Sequence, residues 1–402
     1  MGFPLTGYKV IEVSTHVAVP VASRIMADFG ADVIKVEPLS GDPWRVGGRL
    51  YNLPIENEKN PLFEVSNANK KLLSLDLKSE KGKEIIHELL SDADVFLTNL
   101  RGPALKKLGL DKETLMKKYP GLVMGVITGY GMKGDLSNKP GYDMTSFWAS
   151  TGTVADWSMR GNFPFRPTGG FGDSATASLL LSGILMALLK KERTGVGDFV
   201  ETSLFGAGIW YNSTGLLAGN KKYANGYPKS AFEATSPISW TYKCKDGEWV
   251  MLTLIDYDRY FPIVARLMNL DELIGDEKFK NLESTKKNIV EIIKLFNNSF
   301  ITKTSDEWVE LFTKHDLVHQ KLVHLDEVLS SKQAWENGYL EKVVYEDEDS
   351  STVTTPAIKI AGVEERVNDY NLPIGKNSKE ILRSLGYDSD QIQKLLDSKI
   401  IK

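Results

Sequence analysis

Short apolar stretches alternate with amphipathic stretches through about the first 130 residues, and this alternation restricts the fold more than any other feature. The apolar stretches predict strands at residues 8–13, 32–37, 72–77, 94–98 and 122–128. The amphipathic stretches predict helices at residues 20–29, 80–90, 103–108 and 112–119. Such alternation is typical of an open sheet of parallel strands covered by helices. The sequence therefore predicts an α/β fold with a Rossmann-like open parallel sheet, whose ligands bind beyond the carboxyl ends of the strands.

The composition is that of a soluble globular protein with more than one domain. The chain has 402 residues, of which 42% are hydrophobic and 25% are charged, enough for two or three domains. Its net charge of −4 provides no basic face for nucleic acid. The single cysteine, Cys244, excludes an internal disulfide and a multi-cysteine zinc site, and it suits a reducing compartment. We therefore expect a cytoplasmic protein without a nucleic-acid partner.

Changes in composition divide the chain into three segments. Residues 1–220 form the predicted N-terminal part of a large α/β domain. Residues 221–325 begin with a polar linker and continue as a smaller α+β domain, with a hairpin at 240–255 and helices at 257–268, 287–300 and 305–315. From about residue 323 an extended return is expected, so that 326–402 rejoin the large domain and end in helices at 379–385 and 390–398. Residues 38–68 are expected to form a long irregular loop.

A glycine-rich turn, Thr168-Gly169-Gly170-Phe171-Gly172-Asp173-Ser174, precedes a long apolar run that predicts a helix. Asp173 or Ser174 is expected at the start of that helix. A carboxylate there lies near unsatisfied backbone N–H groups and the positive end of the helix dipole, so we expect it to be ionised at neutral pH. Asp and Ser are also common N-cap residues. The local sequence therefore leaves two interpretations of Asp173, a helix cap and a catalytic carboxylate.

Three further patterns argue against other functions. The G-x-G-x-x-G match at residues 129–134 is followed by turn residues instead of a helix, which disfavours dinucleotide binding. His315, His319 and His324 are close in sequence, but a metal site normally needs a further ligand and an ordered surrounding, so no metal is predicted. The longest apolar run, from Ala175, has about 15 residues, fewer than the roughly 20 that cross a bilayer, so no membrane span is predicted.

Several short motifs occur in the order and spacing of one enzyme family. They occupy residues 26–37, 67–71, 75–78, 93–99, 128–131, 140–143, 172–173 and 193–197. Through them the chain resembles the family III CoA-transferases, which include formyl-CoA transferase, carnitine CoA-transferase and α-methylacyl-CoA racemase. Residues 67–71, 78–83 and 140–143 most resemble the 2-hydroxyacid CoA-transferases of amino-acid fermentation, such as phenyllactate or 2-hydroxyisocaproate CoA-transferase.

The resemblance implies covalent transfer of CoA between an acyl- or enoyl-CoA and a carboxylic acid. Asp173 is the implied nucleophile, which forms an aspartyl anhydride and then an aspartyl-CoA thioester. Asp143 and the backbone of Gly169, Gly170 and Gly172 are the implied supporting groups, the glycine amides as oxyanion donors. CoA thioester is then a substrate, with no permanently bound cofactor. The family assembly implies an interlocked homodimer whose large domain binds CoA.

The resemblance also assigns CoA contacts to Val17, Ala18, Leu75, Lys78, Asn99, Leu100, Arg101, Lys107, Lys139 and Tyr142. The basic members would face phosphates, and the alternative for each is a solvated surface charge. The chain departs from the family pattern at three places. Pro38 replaces an arginine, Val19 replaces a glycine, and Gly226 is the single glycine of a linker segment that is glycine-rich in formyl-CoA transferase.

Two alternative functions are open at this stage. A racemase of this family would pair Asp143 with a histidine, but no histidine lies between His87 and His315 to supply one near the glycine turn. In a transferase, Asp143 either orients the loop or the substrate, or it is a plain turn residue. The second alternative is an acyl-CoA-binding relative without catalysis, which Asp173 beside three glycines disfavours.

Overall fold

The computed structural model describes residues 2–223, 226–363 and 368–402. They form two compact units. The first unit contains Met1–Gly152, Arg166–Leu216 and Lys332–Lys402, so segments far apart in sequence build it together. The second unit contains Thr153–Phe165 and Leu217–Ser331. Residues 224–225 of the expected linker lie outside the described residues.

A six-stranded parallel sheet forms the centre of the first unit. Its strands are β1 (Lys9–Val13), β2 (Asp32–Glu37), β3 (Lys71–Ser74), β4 (Val95–Thr98), β5 (Val123–Thr128) and β6 (Phe199–Ser203). The strand order is β3-β2-β1-β4-β5-β6, and each neighbouring pair is parallel. This confirms the predicted open parallel sheet. The strand order reverses between β1 and β4, and ligands of open α/β sheets bind beyond the carboxyl ends of the strands at such a point.

Each stretch that the sequence predicts to be helical contains a helix, and further helices lie between these stretches. They are α1 (Ala18–Asp28), α2 (Pro61–Asn67), α3 (Glu80–Ser91), α4 (Gly102–Leu108), α5 (Lys112–Lys118), α6 (Thr153–Trp157), α7 (Phe171–Thr194), α8 (Leu204–Tyr211), α9 (Ser213–Ala218), α10 (Tyr257–Leu267), α11 (Leu282–Lys287), α12 (Ile289–Phe300), α13 (Ser305–Lys314), α14 (Leu325–Leu329), α15 (Lys332–Glu336), α16 (Ser378–Ser384) and α17 (Ser389–Asp397). The Ser79 hydroxyl caps α3 by accepting the N–H of Gly82 at 3.0 Å. Helix residues such as Ile86 and strand residues such as Ile11 and Phe96 share one buried core.

The prediction of an irregular loop at residues 38–68 was wrong for two stretches. A 3₁₀ helix, Pro43–Tyr51, follows Asp42, whose side chain accepts the N–H of Trp44 at 2.9 Å. Helix α2 follows Asn60, whose side chain accepts the N–H of Phe63 at 3.2 Å. In both places a capping side chain followed by proline starts the helix, and these signals outweigh the loop-like composition.

The prediction of an extended connection after residue 323 was also wrong. The segment contains α14, α15 and an antiparallel hairpin of β10 (Leu340–Val344) and β11 (Ser350–Thr354). Val343 and Val353 are buried in a small cluster with Ala68 and Tyr370 of the same unit. The hairpin therefore forms because it covers apolar surface far away in sequence, which local composition does not reveal.

The C-terminal residues complete one edge of the sheet. Helices α16 and α17 lie at the two predicted positions, and Ile381 and Ile392 join the core of the first unit. The Asn377 side chain accepts the N–H of Leu72 in β3 at 3.0 Å. Leu75, just after β3, forms an antiparallel bridge with Ile401. The edge strand is thus covered by the last residues of the chain.

The second unit is an α+β fold with an aromatic core. Its antiparallel sheet has the order β7-β8-β9, where β7 is Thr241–Lys243, β8 is Trp249–Leu252 and β9 is His319–Lys321. This confirms the predicted hairpin. Tyr242 stacks on Phe300 with ring centroids 4.5 Å apart, and Trp308 stacks on Phe312 at 5.3 Å. These rings fill the space between the sheet and helices α12 and α13.

Helix α7 is the one helix among the described residues that is long and apolar enough to cross a membrane. One of its sides is buried, through residues such as Leu180 and Ile184. A Cβ added to Gly125 of β5 would lie 2.7 Å from Ile184 Cδ1, and one added to Gly183 of α7 would lie 2.5 Å from Val200 Cγ1 of β6. Helix α7 therefore packs closely on β5 and β6 as a sheet-covering helix.

Candidate active site

The loops that follow β1 and β4 lie side by side at the carboxyl edge of the sheet. The Asn99 side chain, just after β4, accepts the N–H of Thr15 at 3.0 Å and donates to its carbonyl at 2.6 Å. These two bonds tie the β1 loop to the β4 loop. They fix the start of α1, where Val17 and Ala18 lie buried, at the edge where ligands of such sheets bind.

The glycine turn leads into α7, and Asp173 is the third residue of that helix. Gly170 is the N-cap, with a φ of 96°, in the left-handed region that glycine adopts without strain. The N-cap residue makes no side-chain capping bond. The interpretation of Asp173 as a helix cap was therefore wrong. No hydrogen bond or ion pair to the Asp173 carboxylate is formed by the residues that the structure describes.

Asp143 lies directly against the glycine turn. Its Oδ2 accepts the N–H of Gly170 at 2.5 Å, so this aspartate holds the turn directly. A Cβ added to Gly172 would lie 2.3 Å from Asp143 Oδ1 and 2.4 Å from the ring of Phe147. Asp143 and Phe147 thus press against the helix backbone at a position where only glycine fits. Asp143 is buried and begins a short π-helix, Asp143–Trp148, so it is more than a plain turn residue.

The two aspartates have raised pKa values. Partial burial is the main cause of a pKa of about 7 for Asp173, and the negative charge of Asp143 adds to it. Burial also raises the pKa of Asp143, although the N–H of Gly170 opposes the shift. A pKa of about 7 means that Asp173 is only partly ionised at neutral pH, whereas the sequence analysis expected a fully ionised carboxylate. The helix N-terminus favours the carboxylate, but burial and a second carboxylate outweigh it.

The glycine amides differ in what they can offer to a substrate. The N–H of Gly170 is engaged by Asp143, so it is not available as an oxyanion donor in this arrangement. Gly169 lies beside the Tyr51 hydroxyl, which is 3.4 Å from the position that a Cβ would take. Gly172 is buried against Asp143 and Phe147. The glycines of the turn therefore allow close packing against Asp143 at least as much as they offer N–H groups to a substrate.

His16 lies beside this site. The rule that ligands bind beyond the carboxyl ends of the strands includes the segment after β1 that contains His16, but sequence reasoning gave this residue no role. Its ring contacts the ring of Tyr142 edge-on at 5.3 Å between centroids, next to Asp143. Its φ of 65° is unusual for a residue other than glycine. The sequence argument considered histidines near the glycine turn along the chain, whereas His16 reaches the site from the end of β1.

Most of the residues proposed to bind CoA lie in loops after strands of the first unit or at the start of α1, whereas Lys107 lies in the last turn of α4. Val17, Ala18 and Leu75 are buried, and Asn99 and Leu100 are half-buried. The basic members, Lys78, Arg101, Lys107 and Lys139, are exposed and form no ion pair among the described residues. Tyr142 is 61% exposed. The structure thus brings Val17 and Tyr142 to the aspartate pair, while the four cations lie on the surface of the loops and of α4.

An open parallel sheet with an unneutralised pair of carboxyl groups at its carboxyl edge defines an α/β enzyme of nucleophilic or acid–base type. The family is given by comparison with known proteins. The model of CoA-transferase family III matches residues 5–377, and the chain belongs to this family. It is therefore a CoA-transferase-type enzyme with a CoA thioester as a substrate.

Similar proteins cover nearly the whole chain. (R)-2-hydroxy-4-methylpentanoate CoA-transferase of Clostridioides difficile is 36% identical over 99% of both chains. Cinnamoyl-CoA:phenyllactate CoA-transferase of Clostridium sporogenes is 37% identical over 98% of this chain and 97% of the relative. The crystal structure of Rv3272 from Mycobacterium tuberculosis has a TM-score of 0.79 at 25% identity, covering 94% of this chain and 98% of that one. Human α-methylacyl-CoA racemase is more distant, at 26% identity over 99% of this chain and 97% of the racemase.

Proposed function

We propose that this enzyme exchanges CoA between an acyl- or enoyl-CoA and a 2-hydroxyacid, with Asp173 as the nucleophile. The substrate class is supported by the two bacterial relatives, whose names specify 2-hydroxyacids with a branched or an aromatic side chain. The main observation that supports Asp173 as the nucleophile is that its carboxyl group is not engaged by another residue. It is a partly buried carboxyl group with no hydrogen-bond or ion-pair partner among the described residues, placed at the ligand-binding edge of the sheet.

The first half of the reaction transfers CoA to the enzyme. An oxygen of the Asp173 carboxylate attacks the thioester carbonyl carbon, a C–O bond forms, and the C–S bond breaks to release CoA thiolate. The product is a mixed anhydride. The thiolate then attacks the aspartyl carbonyl carbon, which forms the aspartyl-CoA thioester and releases the donor acid as a carboxylate. Covalent catalysis divides one difficult exchange into two easier steps.

The second half repeats these steps in reverse with the acceptor. The acceptor carboxylate attacks the aspartyl-CoA carbonyl carbon and releases thiolate, and the thiolate attacks the acyl carbon of the new anhydride. Asp173 returns to its carboxylate form, and no proton is gained or lost over the cycle. Water would hydrolyse both intermediates, so the partial burial that raises the pKa of Asp173 also serves the reaction.

Asp143 is proposed as a positioning residue. It holds the N–H of Gly170 at 2.5 Å, and its carboxyl group lies against Gly172. These contacts fix the first turn of α7 and therefore the backbone of Asp173. The negative charge of Asp143 also makes the Asp173 carboxylate a stronger base, because it raises the pKa of Asp173.

The CoA contacts suggested by the resemblance remain proposals. The exposure of Lys78, Arg101, Lys107 and Lys139 supports contacts with phosphate groups. The contact of Val17 with the glycine turn supports a role of Val17, Ala18 and Tyr142 beside the pantetheine arm. We further propose a cytoplasmic homodimer. The apolar side chains that helices α7 to α9 leave exposed in the first unit support a second copy as the partner, and they are Leu185, Met186, Leu189, Ile209, Trp210, Tyr211 and Leu216.

Trapping the covalent intermediates tests the proposal. The enzyme is incubated with cinnamoyl-CoA or isocaproyl-CoA and then with hydroxylamine or borohydride, and the modified residue is located by peptide mass spectrometry. We expect modification of Asp173 in the wild-type enzyme and none in Asp173→Ala. Transfer by Asp173→Ala at the wild-type rate, with no adduct on Asp173 of the wild type, would refute it. A panel of acids against one labelled acyl-CoA then identifies the acceptor.

The alternative is an acyl-CoA racemase or epimerase. The observation in its favour is that the His16 ring contacts the ring of Tyr142, the residue before Asp143, at 5.3 Å between centroids, so that a histidine lies closer to the glycine turn than the sequence suggested. Incubation of a 2-methylacyl-CoA in D₂O without any acceptor acid separates the two functions. Deuterium at the α-carbon with no CoA transfer supports the racemase, and transfer without deuterium incorporation supports the transferase.

A further inference from the structure

The turn that carries His16 is fixed from two sides. The N–H of His16 donates to Asp42 Oδ1 at 3.1 Å, and the residue before it, Thr15, is bound through both its N–H and its carbonyl by Asn99. Together these bonds hold His16 at a φ of 65°, where non-glycine residues are rare. A sparsely populated backbone conformation persists only where its surroundings enforce it, and such positions cluster at functional sites.

Asp42 is itself anchored in a buried ionic cluster of two acids and two lysines. Lys35 Nζ lies 2.9 Å from Asp42 Oδ2 and 2.7 Å from Glu12 Oε1, and Lys70 Nζ lies 2.8 Å from Glu12 Oε2. The side chains of all four residues are buried. Movement of any one of them would leave an unneutralised charge in the interior, which is strongly unfavourable. Asp42 is therefore a rigid support for the backbone of His16.

The His16 ring connects this rigid cluster to the aspartate pair through its contacts with two aromatic rings. It lies between Trp44, at 6.0 Å between centroids, and Tyr142, at 5.3 Å. Trp44 is fixed by the same carboxylate, because its N–H donates to Asp42 Oδ1 at 2.9 Å. Tyr142 directly precedes Asp143, which holds the N–H of Gly170. The neighbouring Val17 approaches the same glycine, at 3.8 Å from the position of an added Cβ.

We propose that His16 is a positioning residue for the reaction. Its ring, supported by Asp42 and Trp44, keeps Tyr142 and Asp143 against the glycine turn and so sets the placement of Asp143 relative to Asp173. This inference rests on the proposed role of Asp173 as the nucleophile. It also assigns a function to the buried ionic cluster. Through Asp42, the cluster fixes the turn that carries His16, and the His16 ring then supports Tyr142 and Asp143.

The ring acts by packing and not by proton transfer. The described residues form no hydrogen bond to the His16 imidazole. Burial lowers the pKa of the His16 ring, and Lys35 adds to this effect while Asp42 opposes it, which favours the neutral form of the ring. A phenylalanine ring should therefore replace it, whereas a residue without a ring should not.

Two substitutions separate the ring from the backbone turn. His16→Gly removes the ring and relieves the left-handed backbone, and His16→Phe keeps a ring of similar size. His87→Ala is the matched control, because His87 is another half-buried histidine against a tyrosine, with ring centroids 6.1 Å apart, in α3. The readouts are the rate of Asp173 acylation in a single turnover with acyl-CoA, the pH dependence of that rate, kcat, KM and Tm.

We expect acylation at least tenfold slower in His16→Gly at an unchanged or higher Tm, with the apparent pKa of Asp173 lowered as Asp143 withdraws. We expect His16→Phe within threefold of wild type and His87→Ala equal to it. Wild-type acylation by His16→Gly would overturn the inference. So would a loss in His16→Phe as large as in His16→Gly, which would assign the imidazole a chemical role. Absence of an Asp173 adduct in the wild-type enzyme would instead refute the proposed function.

Discussion

The first unit contains two buried clusters of carboxyl groups, and they differ in one respect. Glu12 and Asp42 are paired with Lys35 and Lys70. Asp143 and Asp173 form no ion pair with any described cation. Both clusters lie close to the carboxyl edge of the same sheet. The comparison therefore isolates the effect of neutralising charge from the effect of burial alone.

The difference appears directly in the pKa values. Burial raises the pKa of Glu12, but Lys35 and Lys70 outweigh it and bring the pKa far below its usual range. Burial raises the pKa of Asp173 to about 7, and Asp143 adds to the shift where a lysine would have reversed it. Burial with a cation fixes a carboxylate as part of the structure, whereas burial without one leaves it reactive near neutral pH.

The largest expected effect is the loss of the unpaired nucleophile. Asp173→Ala should lower kcat about 10³-fold or more, because the mutant can form neither the anhydride nor the aspartyl thioester. The steady-state rate with an acyl-CoA and an acceptor acid measures this. The Tm should not fall, since Asp173 makes no bond that the fold would lose. A mutant with more than a tenth of the wild-type kcat would mean that the reactive carboxylate is elsewhere.

The next effect comes from removing a charge in the paired cluster. Glu12→Gln leaves Lys35 and Lys70 buried without their shared carboxylate and should cost about 3 to 5 kcal/mol of unfolding free energy. Urea denaturation measures this. The control is Glu310→Gln, which breaks an exposed pair with Lys314 and should leave the midpoint unchanged. Equal midpoints for the two variants would show that the cluster does not support the sheet.

A smaller effect tests the contact between the aspartates. Gly172→Ala places a methyl group within 2.3 Å of Asp143 Oδ1 and 2.4 Å of the Phe147 ring, so these groups must move. We expect kcat to fall roughly tenfold or more through misplacement of Asp173, with a stability loss of about 1 to 3 kcal/mol. Gly121→Ala is the control, because its added Cβ meets nothing nearer than 3.7 Å. Similar kcat values for both variants would contradict the proposed packing.

The smallest effect concerns pH. The reactive form of Asp173 is the carboxylate, so the wild-type acylation rate should rise with pH up to about 7, roughly tenfold per unit below it, and then level off. Asp143→Asn removes the negative charge that raises the pKa of Asp173, so the rising limb should move to lower pH. Single-turnover rates from pH 5 to 9 measure both profiles. An unchanged or higher apparent pKa in Asp143→Asn would show that the two carboxyl groups do not interact.

The sequence predicted what local pattern controls. The alternation of strand and helix patterns predicted the parallel sheet, and Ser79 before a charged stretch predicted the start of α3. It did not reveal that the pKa of Asp173 is raised, because the main cause is burial in the folded protein and the second is the charge of Asp143, which lies 30 positions earlier. It also gave His16 no role, because the contact of His16 with Tyr142 joins residues that are far apart in sequence. The hairpin of β10 and β11 was mistaken for an extended segment because the apolar residues that it packs against, Ala68 and Tyr370, lie outside the hairpin and Ala68 is more than 270 positions earlier.

The covering of β3 by the last residues has a consequence for biosynthesis. The partner of Leu75 is Ile401, and Phe63 and Leu72 share a buried cluster with Leu372. During translation, these partners are synthesised some 300 residues after the strand. Throughout elongation this side of the nascent sheet stays uncovered, so chaperone supply and translation speed should limit the yield of native enzyme more than the stability of the finished protein does.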